Sequence, residues 1–280
     1  MIGLLLAFQL FSPTDPAGLR LLYEKAIDLR RTKHGASSPE VAASMADYGR
    51  FLSRTGDDSA AGWLSQALAI RDNLEDTQAL AMTLERIERP RAELLHQQVG
   101  EQAKGELSAV SWSRLGEMAA NRKANPLAEK AYRAAIANSA SEAKLAIRLN
   151  DLGLFLKGQG SFKDAEPHLR RAVAIQQRTL GLTSPELGAT LNNLSGILLD
   201  MKRPAEAEPF AQRALQIFES TLGPTHVRTA IAASNLADVL ATRGFNTEAV
   251  KRYKQALAIF EKELGPDHAW TRDVQQALRP

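Results

Sequence analysis

No cysteine occurs in the 280 residues, which removes disulfides, thiolate metal sites and cysteine nucleophiles together and leaves the redox compartment open. Aromatic residues make up only 6% of the chain, against 44% hydrophobic residues in all. A core must therefore be built mainly from small aliphatic side chains, the material of helices packed closely on helices. A strong excess of one charge is also missing: 35 Lys and Arg face 32 Asp and Glu, for a net charge of +3. The isoelectric point near 9.1 reflects that slight excess and no basic block. The basic residues are not interleaved with aromatics that could stack bases, so nucleic acid is not an expected partner.

Chemistry-bearing motifs are missing as well. No glycine-rich loop ends in Lys-Ser or Lys-Thr to cradle phosphates, and Gly158-Gln159-Gly160 lacks the third glycine and the preceding strand of a dinucleotide site, so it reads as an interhelix turn. There is no nucleophile elbow and no paired-histidine zinc helix. His34, His96 and His168 are isolated in sequence, while His226 and His268 share a position described below that marks them as turn or helix-start residues. Glu206, Glu208 and Glu248 fall at the start of helices, where a carboxylate complements the helix dipole without any catalytic duty. These absences predict a protein without metal, cofactor or small-molecule substrate, and without enzymatic activity.

Long hydrophobic runs are scarce. The one candidate, Ile2 to Phe11, is too short to span a bilayer, which takes about 20 residues, so no membrane span is expected. It reads either as the core of an export signal or as the first helix of an incomplete repeat. Lack of a polar stripe favours the signal; lack of Lys or Arg before Arg20 and a poor cleavage site after Leu10 count against it. The balance leans to export, with a cytoplasmic location the alternative, and residues 1–15 are set apart as a leader.

What is present is a repeat. Leu191-Asn192-Asn193-Leu194-Ser195 returns as Ala233-Ser234-Asn235-Leu236-Ala237, and Arg213-Ala214-Leu215-Gln216-Ile217 returns as Gln255-Ala256-Leu257-Ala258-Ile259, both at an offset of 42 residues. Leu149-Asn150-Asp151-Leu152-Gly153 and Arg171-Ala172-Val173-Ala174-Ile175 keep the same offset one unit upstream. The connectors repeat too, as Leu180-Gly181-Leu182-Thr183-Ser184, Leu222-Gly223-Pro224-Thr225-His226 and Leu264-Gly265-Pro266-Asp267-His268. A glycine just past a helix accepts the left-handed cap geometry, and a proline after it cannot continue the helix. Each unit therefore reads as two helices. Leu191, Leu194 and Leu198 form the apolar stripe of the first, and Ala207, Phe210, Ala211, Ala214 and Ile217 that of the second. Neither stripe can be covered within one hairpin, so units must stack.

These units resemble tetratricopeptide repeats, and the long Leu-Gly-Pro-x-His connector resembles the kinesin-light-chain subtype. The family's small and large positions are matched by Leu194, Ser195, Ala207 and Ala214, and by Leu236, Ala237, Ala249, Tyr253 and Ala256. A more standard unit is carried by Trp112, Leu115, Gly116, Ala128, Tyr132 and Ala135; Tyr48, Gly49, Ala60, Leu64 and Ala67 fit another, and Tyr23, Ala26 and Leu29 a half unit. A degenerate unit is expected between them, with helices over Ala79–Ile87 and Ala92–Val99. The end, His268 to Leu278, starts another first helix that caps the stack. The resemblance implies an all-α, right-handed superhelical solenoid of antiparallel helix hairpins over residues 16–280, with about six full or partial repeats.

The resemblance also implies a concave groove lined by first helices that binds a protein or peptide segment. In long-grooved members the residue before the first-helix leucine is often an asparagine that holds a peptide main chain, which carries over to Asn193 and Asn235. Asp151, Asp47 and Arg114 occupy that position in other units and depart from the pattern. Asp200 and Asp238 extend the same polar stripe, and the acidic members favour a basic or amine-bearing partner segment. Arg50 and Arg114 reverse that preference at the other end. An alternative duty for Asn193 and Asn235 is to bridge neighbouring helices. Alternative functions are a regulatory arm of a signalling complex that responds to a peptide, and an enzyme whose site no motif reveals.

Overall fold

In the computed structural model, residues 16–279 are described, and they form fourteen helices with no strand among them. The helices fall into two compact units, one ending at Asn138 and one starting at Ser139. The first holds α1 (Pro16–His34), α2 (Pro39–Arg54), α3 (Ala60–Ile70), α4 (Leu74–Ile87), α5 (Arg89–Gln102), α6 (Gly105–Asn121) and α7 (Asn125–Ala137). The second holds α8 (Glu142–Gly158), α9 (Phe162–Thr179), α10 (Pro185–Asp200), α11 (Pro204–Thr221), α12 (Val227–Thr242), α13 (Asn246–Glu263) and α14 (Ala269–Ala277). The expected leader over residues 1–15 lies outside the described residues.

Local chemistry explains where the first helices of the second unit begin. Ser184 caps α10, its hydroxyl accepting from the Leu187 N–H at 3.1 Å, with Pro185 in the first turn. His226 and His268 occupy the equivalent cap positions of α12 and α14, where ring Nδ1 accepts from the Arg228 N–H at 3.0 Å and the Trp270 N–H at 3.3 Å. The repeated histidines are thus helix starts, as their shared register predicts. In the connectors Gly181, Gly223 and Gly265 take φ of +84°, +92° and +87°. The Thr229 and Thr271 hydroxyls, both fully buried, each donate to the connector glycine's carbonyl at 2.8 Å. That repeated bond ties each new first helix to the turn before it.

Inside the hairpins the turn between first and second helix also keeps the 42-residue register: Gly160, Lys202 and Gly244 adopt φ of +73°, +61° and +86°. Lys202 alone carries a side chain there, and a left-handed residue with a Cβ is disfavoured by about 1–2 kcal/mol. Part of that is returned by the lower chain entropy of a non-glycine residue in the unfolded state. Lys202→Gly is expected to raise stability by about 0.5–1 kcal/mol, read as a higher urea midpoint at unchanged slope; a lower midpoint would show that Lys202 makes a contact worth more than its strain.

The stripes read from the sequence are the buried faces. Leu187, Leu191, Leu194 and Leu198 of α10 are at most 2% exposed, and Ala207, Ala211 and Ala214 of α11 are fully buried. Alanine at these positions lets the axes of a hairpin close on each other, so the hairpins are held by contact along their whole length. In the first unit Gly49 serves the same end: a Cβ there would lie 2.7 Å from Leu64 Cγ and 3.2 Å from its backbone nitrogen. Tyr23, Tyr48, Phe51 and Trp63 pack together across α1, α2 and α3, with ring centroids 5.1–6.5 Å apart. The degenerate repeat forms both its helices, α4 and α5, and each is longer than its apolar pattern suggests. Asn73 caps α4 by accepting from the Asp76 N–H at 3.0 Å, and only Glu88 separates the two helices.

Each helix packs chiefly on its predecessor and successor, and the further approaches in each unit run between first helices: α2 with α4, α4 with α6, α8 with α10, α10 with α12. In a stack that curves, the elements on the inner side crowd together. First helices therefore form the inner face within each unit, and the fold is an antiparallel helical-hairpin solenoid.

Candidate functional site

The polar stripe of the first helices lies on these inner faces. In the second unit α8 and α10 are cross-linked there. Asn193 Nδ2 donates to Asn150 Oδ1 at 2.9 Å, and Lys157 Nζ reaches past Gly196 to Asp200 Oδ2 at 3.4 Å. Asn193 is half-buried and has a structural partner; Asp151 is half-buried on α8, and Asp200 is an exposed carboxylate with a lysine beside it. The next seam, between α10 and α12, differs. The register would pair Asn235 with Asn192 as Asn193 pairs with Asn150, yet Asn192 Oδ1 is buried without a hydrogen-bond partner. The Asn235 amide makes no hydrogen bond among the described residues.

Asn235 instead borders an open cavity of about 260 Å³ between α12, α13 and α14, along with Asp238, Tyr253, Phe260, Trp270 and Asp273. Asp238 accepts a short hydrogen bond from the Tyr253 hydroxyl. Burial pushes the Asp238 carboxyl above the usual carboxylate range, and the Tyr253 bond only partly opposes that rise. Burial first, and then the Asp238 carboxylate, push the Tyr253 hydroxyl up in turn, so the proton stays on the tyrosine. The Trp270 ring sits against Phe260 and His268, with centroids 5.9 and 5.1 Å away. Nearly half of its surface stays open to solvent.

In the first unit the stripe residues are tied into ion pairs. Asp47 and Arg50, one turn apart on α2, are 2.6 Å from each other, and Arg50 also reaches Asp76 on α4. Asp76 is 1% exposed and is held from its other side by Arg71 at 3.0 Å. Arg114 on α6 lies 3.3 Å from Glu117 and 3.9 Å from Glu85. Both arginines read as partner contacts thus have carboxylates at hand in the protein itself. The seams of this unit are also closed by Thr83 donating to Ser53 at 2.9 Å and by the Gln78 amide donating to Ser111 at 3.0 Å.

Sequence reasoning placed these residues on the first helices and missed most of their partners within the protein. Asn150 was detectable, since it stands 42 residues before Asn192 in a conspicuous Asn-Asn register. Asp76 lies in the degenerate repeat, where no register guides the eye. Trp270 and Asp273 fall in a helix read as a mere cap, and only the folded arrangement brings them beside Asn235 and Asp238.

The chain matches the family described as Tetratricopeptide repeat over residues 144–220, 186–244 and 228–278. No curated protein matches it in sequence. Among solved structures it resembles BtubC (BKLC) from P. vanneervenii, at 20% identity and a TM-score of 0.61, covering 87% of this chain and 92% of that one. It also resembles a chain of the APC/C hetero-tetramer Cut9-Hcn1, at 14% identity and a TM-score of 0.59, over 96% of this chain and 50% of that one. Similarity this distant in sequence speaks for the fold alone. The repeats of α8 to α14 match the tetratricopeptide repeat family, over just under half of the chain. Such repeats make it a protein–protein interaction scaffold, in a family that is generally non-catalytic. No helix among the described residues is long and apolar enough to cross a membrane.

Proposed function

We propose that the protein is a non-catalytic scaffold that holds an extended or helical segment of a partner protein along the inner face of its first helices, with the second unit making the specific contacts. One contrast carries this reading. The polar groups of the first unit's inner face and of the α8–α10 seam satisfy one another, while the α10–α12 seam leaves the Asn235 amide uncommitted beside an open cavity. An asparagine amide offers a donor and an acceptor together, which matches the alternation of a peptide main chain.

Selection of a displayed dodecapeptide library on the full chain tests this, with affinities of enriched peptides measured by fluorescence anisotropy. Asn235→Ala is expected to weaken them about threefold to tenfold, the range set by one or two net hydrogen bonds of about 0.5–1.5 kcal/mol, without moving the melting temperature. Asn193→Ala, which removes a bond to Asn150, is expected to lower stability by about 0.5–1.5 kcal/mol as well. Failure of any peptide to enrich, or full affinity in Asn235→Ala, would refute the proposal.

A further inference from the structure

We infer that the cavity between α12, α13 and α14 is a pocket for an alkylammonium group, the end of a lysine side chain on the partner segment. Two carboxylates and an amide oxygen, from Asp238, Asp273 and Asn235, border it together with the rings of Tyr253, Phe260 and Trp270. No lysine or arginine lines it, and neither Asp238 nor Asp273 makes an ion pair among the described residues. Arg272 precedes Asp273 in α14, but successive residues of a helix do not face each other, and Arg272 is not part of the lining. The site therefore offers two carboxylates without a cationic partner, bordered by aromatic residues and open to solvent. A primary ammonium matches it better than a guanidinium does, because it has three separately directed donors for three separate acceptors, where arginine is suited to one carboxylate bound side-on. Trp270, 44% exposed at the border of the cavity, adds a cation–π surface. Burial disfavours the charge on Asp238, and the attraction of a cation brought alongside opposes that effect.

The volume, about 260 Å³, suits one side chain and not a folded ligand, so the pocket reads one residue of a segment lying across α10 and α12. This inference rests on the scaffold reading, and its test separates the two. Nitrogen-15 NMR on the full chain, following the Trp270 indole N–H, is used to titrate Nα-acetyl-lysine methylamide against its neutral analogue Nα-acetyl-norleucine methylamide. The lysine derivative is expected to half-saturate the shift at about tenfold lower concentration, which is what one partly exposed ion pair and one cation–π contact together amount to. Asp238→Asn with Asp273→Asn is expected to abolish that preference; should the pair impair folding, the exposed Asp273→Asn alone must reduce it. Equal response to both compounds, no response at Trp270, or an undiminished preference in the variants overturns the pocket. If dodecapeptides bind the inner face but lysine and norleucine are not distinguished, only the pocket fails. If the lysine derivative binds while no peptide does, only the scaffold reading fails.

Discussion

Leu194→Ala is expected to lower the stability of the second unit by about 2–5 kcal/mol, the range for a fully buried leucine whose removal leaves a cavity. The side chain is 1% exposed and sits in the middle of α10, whose stripe packs within its own hairpin and against the neighbouring helices on either side. Among the buried residues of α11, Ala207, Ala211 and Ala214 have no longer rotamer with which to fill the space. Urea unfolding followed by circular dichroism and by Trp270, the one tryptophan of this unit, measures the effect. Leu182→Ala serves as the control, since that leucine is 58% exposed in a connector and should cost no more than about 0.5 kcal/mol. Similar losses for the two leucines would mean that α10 is not packed as described.

The second large effect is expected at Asp76, a residue no motif marks. Asp76→Asn keeps the shape of the side chain and removes its charge, leaving Arg71 directed at a group that can no longer balance it and Arg50 with Asp47 alone. Taking away one partner of a fully buried pair costs about 3–5 kcal/mol. Both arginines here are about one-third exposed and can draw on solvent, so a loss of about 2–3 kcal/mol is expected, read from Trp63 and Trp112 in the first unit. Arg86→Ala, which breaks an exposed pair with Asp58, should change stability by less than about 0.5 kcal/mol. Equal effects from the two variants would place Asp76 in solvent.

Much of the fold could be read before any coordinates because the 42-residue offset makes one unit the check on the next. A helix boundary guessed at Gly223 is tested by Gly181 and Gly265, and an apolar stripe at Leu194 by Leu152 and Leu236. That check fails over α4 and α5, where both helices run beyond their apolar cores because Asn73 and the Arg89-Pro90 start set the ends. The site was legible only as far as the helical period places residues on a face. Asn193 and Asn235 look the same in sequence. They differ in the fold because Asn150 lies within reach of one, while the other opens on a space shaped by Trp270 and Tyr253, residues tens of positions apart or on separate helices. Pairing between helices is a property of stacking, which a single-helix pattern does not encode.

The connector geometry sets a rule for how such a chain can change length. Ser184 and His226 cap successive first helices with nearly the same backbone, φ −70° and ψ 139° against φ −77° and ψ 143°, and both follow a left-handed glycine. Splicing from one cap to the next would rejoin equivalent ends, so whole modules are interchangeable currency. A gain or loss inside a helix would instead rotate the rest of that helix's stripe out of phase and turn its leucines to water, whereas a change confined to a connector leaves each helix to its own caps.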